Sequence, residues 1–193
     1  MKLNCVKGII TLAVLMLPGV MTAYAQNLLK NGNFEIFTGN EPKDWATSNI
    51  PKVIVVVSPE TRCKGGTYSV KCEVKDFHGS KMAGMISQNG IPVSGSSFEL
   101  KGFYVLHSVG KDAGFVSIEL MDADGNTIKI CQENLTNPAA NFTHFTMAGD
   151  IPRGAVKLDI KMTLLPDKDS DALHEGSYVL FDDLELVPVT PVG

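Results

Sequence analysis

Apolar and polar residues alternate along most of this chain after residue 50. Clusters of Gly, Pro, Asn and Asp interrupt the alternation about every ten to twenty residues, as in all-β proteins. No window longer than about ten residues keeps apolar side chains at i, i+3, i+4 and i+7, so we expect helices of a turn or two at most. The pattern predicts strands near residues 27–30, 33–37, 52–58, 67–76, 82–88, 97–107, 114–121, 126–132, 142–148, 155–164 and 177–187.

So many short strands in one domain must close into a barrel or pack as two sheets, because a single open sheet leaves an apolar face in water. A two-sheet antiparallel β-sandwich is the more economical prediction. Within it, Asp122–Asn126 contains Gly125, and Gly and Asn tolerate the positive φ angles of tight hairpin turns. We therefore expect a hairpin between the strands over 114–121 and 126–132.

The first 25 residues have the pattern of a secretory signal peptide. A basic start precedes an apolar run over 8–20, and Ala23–Ala25 is a small-residue cleavage site. The run is shorter than the roughly 18–20 residues that span a bilayer, so we expect no membrane insertion. We predict a signal peptide over 1–25 and a single β-sandwich domain over 26–193, secreted to the periplasm, the cell surface or the exterior.

Charge and motifs limit the function classes. The net charge is −4 and the lysines are scattered, so nucleic acid is not an expected partner. The chain has neither a Gly-x-Ser-x-Gly elbow nor a His-Glu-x-x-His pair, and its four histidines are dispersed. We therefore predict that the protein is not an enzyme.

Three cysteines follow the predicted signal peptide: Cys63, Cys72 and Cys131. This odd number leaves at least one thiol free. Cys72 has the apolar parity of its strand, which favours a small buried side chain. A Cys63–Cys72 disulfide is the alternative, and it requires the chain to fold back through Lys64–Gly66.

The two ends of the predicted domain each supply a carboxylate. Asn27–Glu35 combines an apolar pair, an Asn-Gly turn signal and an aromatic–acid pair, and Tyr178–Leu186 alternates around Asp182 and Asp183. If the terminal strands are neighbours, the fold brings Glu35 and Asp182 together.

Several segments along residues 26–193 follow the order seen in one known family. They are Asn27-Leu28-Leu29-x-Asn31-Gly32-x-Phe34-Glu35 with Pro42-x-x-Trp45, then Gly66–Lys71, Ser97–Val105, Val116–Gly125 and Phe181–Leu186. Together they resemble the carbohydrate-binding modules of the galactose-binding-like jelly-roll type, which occur on secreted polysaccharide-degrading proteins. The resemblance implies a jelly-roll sandwich with Trp45 at its edge, so we expect Trp45 in the core rather than on a ligand platform.

The resemblance also implies a structural calcium ion. In the family, the glutamate of the first motif and an aspartate of the last bind Ca²⁺ with backbone carbonyls, and here the matching residues are Glu35, Asp182 and the region Glu60–Thr67. Carboxylate and carbonyl oxygens are the ligands that Ca²⁺ prefers. The alternative is that both carboxylates are solvated or accept hydrogen bonds from backbone amides.

Strand parity suggests a face for a glycan or polysaccharide. On the strand over 97–107, Phe103 and His107 face away from Phe98 and Leu100, and Glu119 and Asp159 lie on the polar sides of their strands. If these strands are neighbours in a concave sheet, an aromatic ring lies among polar groups, which suits a sugar. The candidate ligand-binding residues are Gln88, Phe103, His107, Glu119 and Asp159.

A structural or protein-interaction sandwich at the cell surface, with no sugar ligand, is the alternative function, because this fold serves many roles. An exposed apolar patch or an unpaired edge strand would favour that alternative and a cell-surface protein partner.

Overall fold

The computed structural model describes residues 26–189, so the predicted signal peptide over 1–25 lies outside the described residues. Every regular element in this range is a β-strand, and none of its segments is a helix long and apolar enough to cross a membrane. The strands are β1 (Phe37–Thr38), β2 (Glu41–Pro42), β3 (Ala46–Thr47), β4 (Val57–Glu60), β5 (Ser69–Phe77), β6 (Ser80–Ala83), β7 (Ile86–Pro92), β8 (Ser97–His107), β9 (Ala113–Met121), β10 (Thr127–Leu135), β11 (Ala139–Asp150), β12 (Lys157–Leu165) and β13 (Tyr178–Val189).

Two antiparallel sheets form the sandwich. The five-stranded sheet has the order β10-β9-β12-β7-β3, and the six-stranded sheet has the order β11-β8-β13-β5-β4, with β6 paired to β5. Strands β1 and β2 form a separate small hairpin. The predicted two-sheet antiparallel jelly-roll sandwich is confirmed.

The core lies between the two sheets and follows the alternation of the sequence. On β8, Phe98, Leu100 and Tyr104 face inward and are at most 4% exposed. The opposite sheet contributes Ile118 and Ile160, which are fully buried. Each such side chain contributes about 1.5–3 kcal/mol when it leaves water, so the alternation fixes which face of each strand is inside.

The hairpin between β9 and β10 is confirmed. The backbone N–H of Asp122 donates to the carbonyl of Asn126 at 3.0 Å, and Gly125 has a φ of +89°. The Asp122 carboxylate also accepts the N–H groups of Asp124 and Asn126 at 3.0 and 2.8 Å. These bonds satisfy the backbone of the turn and fix its position between the strands.

The predicted strands over 27–30 and 33–37 are wrong, because the chain turns there instead of extending. Asn31 has a φ of +48°, and its side-chain amide donates to the carbonyls of Ile36 and Lys43, both at 3.0 Å. Asparagine side chains compete with strand ladders by forming local bonds of this kind. In this region only Phe37–Thr38 forms a strand, which pairs with Glu41–Pro42.

The two ends of the domain are nevertheless side by side, as the end motifs predicted. The N–H of Leu28 donates to the carbonyl of Leu186, and the N–H of Leu184 donates to the carbonyl of Gly32, both at 2.8 Å. The Asn27 side chain adds a bond to each of these β13 residues at 2.9 Å.

Trp45 lies in the core, as expected, with 6% of its surface exposed. Its ring packs on Phe34 with centroids 5.3 Å apart, and its Nε1–H donates to the carbonyl of Lys30 at 3.0 Å. The first motif is therefore fastened to the sandwich by packing and hydrogen bonds rather than by strand pairing.

The predicted strand over 82–88 divides into β6 and β7. Gly84 lies at the break, where a Cβ atom would overlap the carbonyl oxygen of Val56. In the predicted strand over 52–58, residues 52–53 lie in a turn, Ile54 makes an isolated bridge with Ile50, and only residues 57–58 join β4. From residue 97 onward each predicted strand is present, with ends shifted by three residues at most.

Candidate functional site

The five candidate ligand residues lie on two different sheets. Gln88, Glu119 and Asp159 belong to β7, β9 and β12 of the five-stranded sheet, whereas Phe103 and His107 belong to β8 of the six-stranded sheet. The expectation that these strands are neighbours is therefore wrong for β8, which pairs with β11 and β13. Parity correctly gave the outward sides of β8, β9 and β12, but the outward sides of the two sheets point in opposite directions. On β7, Gln88 faces inward, because it pairs with the buried Ile160.

On the five-stranded sheet, the structure brings Glu119 and Asp159 together. They are direct partners across β9 and β12. The Asp159 carboxylate accepts the N–H of Gly90 at 2.7 Å, and the Glu119 carboxylate accepts the hydroxyl of Thr127. Both carboxylates thus line the outer face with part of their hydrogen-bonding capacity already used.

Phe115 is an outward-facing aromatic residue on the same sheet that the sequence analysis missed. It is partly exposed and stands directly between Asn134 of β10 and Thr163 of β12. In the next row, Ser117 lies between Gln132 and Lys161. We call the outward residues of these two rows, together with Glu119 and Asp159, the Phe115 face. Phe115 has the parity of Ser117 and Glu119, so extending that pattern by one step would have found it.

Gln88 is buried beneath the edge of this sheet, with 7% of its surface exposed. Its Oε1 accepts the N–H of Lys30 at 2.9 Å, and its Nε2 donates to the carbonyls of Lys30 and Asp44 at 3.0 and 3.2 Å. The amide is thus committed to the backbone of the first motif. This geometry favours a structural role for Gln88, although its predicted role in ligand binding is untested.

On the six-stranded sheet, Phe103 and His107 have cationic and aromatic neighbours. The Phe103 ring meets His144 edge-on at 5.4 Å, and the Lys64 ammonium lies 4.8 Å from its centroid. His107 stacks on Tyr178 with centroids 5.0 Å apart. The Phe103 ring is therefore a partly covered surface, unlike an open stacking platform.

Glu35 and Asp182, the predicted calcium ligands, both bind the loop over 61–68 through its backbone amides. The Glu35 carboxylate accepts the N–H groups of Thr67 at 2.8 Å and Tyr68 at 3.1 Å. Asp182 Oδ2 accepts the N–H of Lys64 at 2.6 Å, so the loop connects the two end motifs.

Burial sets the electrostatics of Asp182. Its side chain is fully buried, and this desolvation raises its pKa to about 6, against the opposing effect of the amide bonds from Lys64 and Gly65. The pKa of Glu35 is lowered, mainly by the amides of Thr67 and Tyr68. A buried carboxylate that resists ionisation would gain from a cation, because a positive charge favours the ionised form.

The donor chemistry suits calcium, but the present contacts are amides. Within residues 26–189, no group of three or more His, Cys, Asp or Glu side chains is arranged to hold a metal ion. Gly65 and Gly66 leave room beside the carboxylates of Asp183 and Glu35, where a Cβ atom would crowd them. The amide-bonded alternative is what the structure contains, and the calcium ion stays a prediction.

The three described cysteines are free thiols. Cys72 is fully buried, which confirms the prediction of a small buried side chain from its position in the strand. This burial raises the pKa of its thiol. The Cys63–Cys72 disulfide is absent from the described residues, and Cys63 and Cys131 are partly exposed.

Comparison with known proteins gives likeness in structure alone. No protein-family model matches the chain, and no curated protein matches it. Among solved structures, the enzymatically active domain of tailspike protein 4 of bacteriophage CBA120 matches 84% of this chain with a TM-score of 0.61 at 16% identity. This match covers only 21% of that longer chain.

Several matches are whole carbohydrate-binding modules. The module TmCBM61, solved with β-1,4-galactotriose, matches 86% of this chain over 100% of its own length, with a TM-score of 0.54 at 15% identity. The CBM22-1 xylan-binding domain of Paenibacillus barcinonensis Xyn10C matches 87% over 97% of its length, with a TM-score of 0.52 at 16% identity. The chain thus has the jelly-roll fold of carbohydrate-binding modules, and at these identities the likeness is one of fold.

Proposed function

We propose that this protein is an exported, non-catalytic carbohydrate-binding protein whose ligand lies on the Phe115 face. The observation that carries the proposal is the position of Phe115 between Asn134 and Thr163 on an outward sheet face. An aromatic ring can cover the apolar C–H face of a pyranose, while amides and hydroxyls bind its hydroxyl groups.

The rest of the face supplies further polar partners in register. Ser117 with Gln132 and Lys161 forms one row, and Glu119 between Asp159 and the apolar Ile130 forms the next. Successive rows along a strand repeat at about 6.6 Å, which is twice the rise per residue. Because polar side chains recur in successive rows, an extended ligand can form hydrogen bonds with more than one row. This favours an oligosaccharide over a single sugar.

The fold likeness guides the choice of ligand. TmCBM61 was solved with β-1,4-galactotriose, and the Paenibacillus barcinonensis domain is described as xylan-binding. These are properties of those proteins, and they make neutral β-linked oligosaccharides the first probes to use here.

The test is a glycan array on residues 26–193, followed by calorimetric titration of the ligands it finds, with β-1,4-galactotriose and xylo-oligosaccharides included. We expect Phe115→Ala to weaken binding by about tenfold or more, because the stacking surface is lost. Phe103→Ala, on the opposite sheet, is the matched control and should leave the affinity for a neutral sugar unchanged.

Unchanged affinity after Phe115→Ala would contradict the proposal, as would an array without any bound glycan. A loss caused by Phe103→Ala instead would place the site on the six-stranded sheet, with the aromatic residue that the sequence analysis proposed.

A protein partner at the cell surface is the second candidate function, and one observation favours it. Strand β10 is an edge strand, and it exposes Ile128 at 41% and Ile130 at 55%. Unpaired edges with apolar side chains are common docking sites for other chains. An array without glycan binding would shift the balance toward this function.

A further inference from the structure

The outer face of the six-stranded sheet has a small cleft above β8. Val105 lies on the outward side of β8 yet is only 1% exposed. Beside it opens a cleft of about 360 Å³ whose lining includes Arg62, His107, Tyr178 and Ala140. The Arg62 guanidinium donates to the carbonyl of Ala140. This hydrogen bond holds the guanidinium at the rim of the cleft. We call this region, together with Phe103, Lys64 and Lys71, the β8 cleft.

Two aromatic rings of the β8 cleft each contact a lysine ammonium group. The Lys64 ammonium lies 4.8 Å from the centroid of Phe103, and the Lys71 ammonium lies 4.7 Å from the centroid of Tyr178. Each ring attracts its ammonium through the negative face of its π system. With one face of each ring occupied by a cation, the cleft is better suited to bind an anion than to stack a neutral sugar.

The positive charge here is only partly balanced. Lys71 forms an ion pair with Glu73 at 3.2 Å. Arg62 and Lys64, in contrast, make no ion pair with any residue in 26–189. Three carboxylates lie near the loop that carries Lys64: Asp182 and Glu35 accept its backbone N–H groups, and the exposed Asp183 lies beside Gly65.

We propose that the β8 cleft binds an anionic group of a glycan, either the carboxylate of a uronic acid or a sulfate ester. Arg62, which lines the cleft, supplies a planar fork that matches a two-oxygen anion, and Lys64, over the Phe103 ring, supplies a second, compact charge. The stacked His107 and Tyr178 rings line the cleft beside Arg62. This site is distinct from the Phe115 face, so a protein with both would bind acidic and neutral glycans on opposite sides.

The test is calorimetric titration of residues 26–193 with trigalacturonate and with a sulfated galactose oligomer, and with β-1,4-galactotriose as the neutral arm. We expect Arg62→Gln and Lys64→Gln each to weaken binding of an acidic probe by about tenfold, because a charge-assisted hydrogen bond is lost. Lys64→Arg keeps the charge and should retain binding. Affinity should fall as salt is raised, because exposed charges are screened. The acidic probe that binds more tightly identifies the source of the anion.

Lys168→Gln is the matched control, because it removes one positive charge from an exposed position in the loop after β12. A melting temperature for each variant confirms that it is folded. Equal weakening by Lys168→Gln would overturn the proposal, since it would mean that net charge alone acts. Absence of acidic binding, or acidic binding lost in Phe115→Ala but kept in Arg62→Gln, would also overturn it. None of these outcomes decides whether the Phe115 face binds a neutral sugar.

Discussion

Gly66 is a single residue on which the contact between Glu35 and the loop over 61–68 depends. It has a φ of +67°, and a Cβ atom at this position would overlap the carboxylate of Glu35. The absence of a side chain lets that carboxylate reach the amides of Thr67 and Tyr68. Only glycine combines this backbone conformation with this close approach at little cost.

Replacing Gly66 with alanine should therefore destabilise the fold. Gly39 is the matched control, because its φ is +63° and a Cβ atom there meets nothing within 4 Å. We expect Gly39→Ala to cost about 1 kcal/mol for the left-handed conformation alone, and Gly66→Ala to cost about 1–2 kcal/mol more. The measurement is the free energy of unfolding from urea denaturation. Equal losses in the two variants would show that the contact with Glu35 contributes no stability.

At the scale of elements, the segment before β3 is held in place by side chains rather than by strand pairing. Trp45 and Gln88 both bond to the carbonyl of Lys30, one from within the segment and one from β7. These contacts join residues distant in sequence, so local patterning does not reveal them. The apolar residues of this segment have the pattern of a strand, but the chain turns at Asn31 and does not extend there.

Gln88→Ala tests the structural role of this amide. Removing it leaves the partly buried N–H of Lys30 without its acceptor, and we expect a cost of about 1 kcal/mol, at the lower end of the range for an unsatisfied group. We expect a lower melting temperature but an unchanged affinity for any neutral glycan that binds the Phe115 face. Asn89→Ala, at the exposed neighbouring position, is the control for stability. A stable variant with weakened glycan binding would instead support the ligand role predicted from the sequence.

The bounds and outward sides of the longer strands could be predicted from the sequence, but the sheet to which each belongs could not. Strand β8 was predicted with the same bounds, 97–107, because its apolar residues alternate without interruption over its whole length. The alternation also gave the outward side of Phe103 and of Glu119. It could not say that β8 and β9 belong to different sheets, because a strand keeps its parity whichever sheet it joins.

At the scale of the whole molecule, the loop over 61–68 joins the two ends of the chain through Glu35 and Asp182. We propose that a calcium ion strengthens this join. The folded-state pKa of Asp182, about 6, lies above its ordinary value. Without metal, its contribution to stability is therefore present at low pH and is lost as pH rises through about 6. Calcium needs the ionised carboxylate, so it would offset the loss at neutral pH.

We expect calcium to raise the melting temperature by a few degrees at pH 7, and EDTA to reverse the effect. At pH 5 the rise in melting temperature caused by calcium should be smaller, because protons compete with calcium for the Asp182 carboxylate. Glu35→Gln should weaken the calcium response, whereas Glu133→Gln, on edge strand β10, should keep it. If EDTA and restored calcium both leave the melting temperature unchanged at pH 7, the calcium proposal fails.

The sequence by itself determined the all-β class and the inward and outward sides of most strands. These depend on period-two alternation and turn residues, which act over a few neighbouring positions. Only the tertiary structure decided which strands share a sheet. It therefore separated Phe103 and His107 from Glu119 and Asp159, and placed Phe115 between Asn134 and Thr163. The physical reason is that sheet membership depends on where each connection crosses the sandwich, a long-range choice that alternation leaves open.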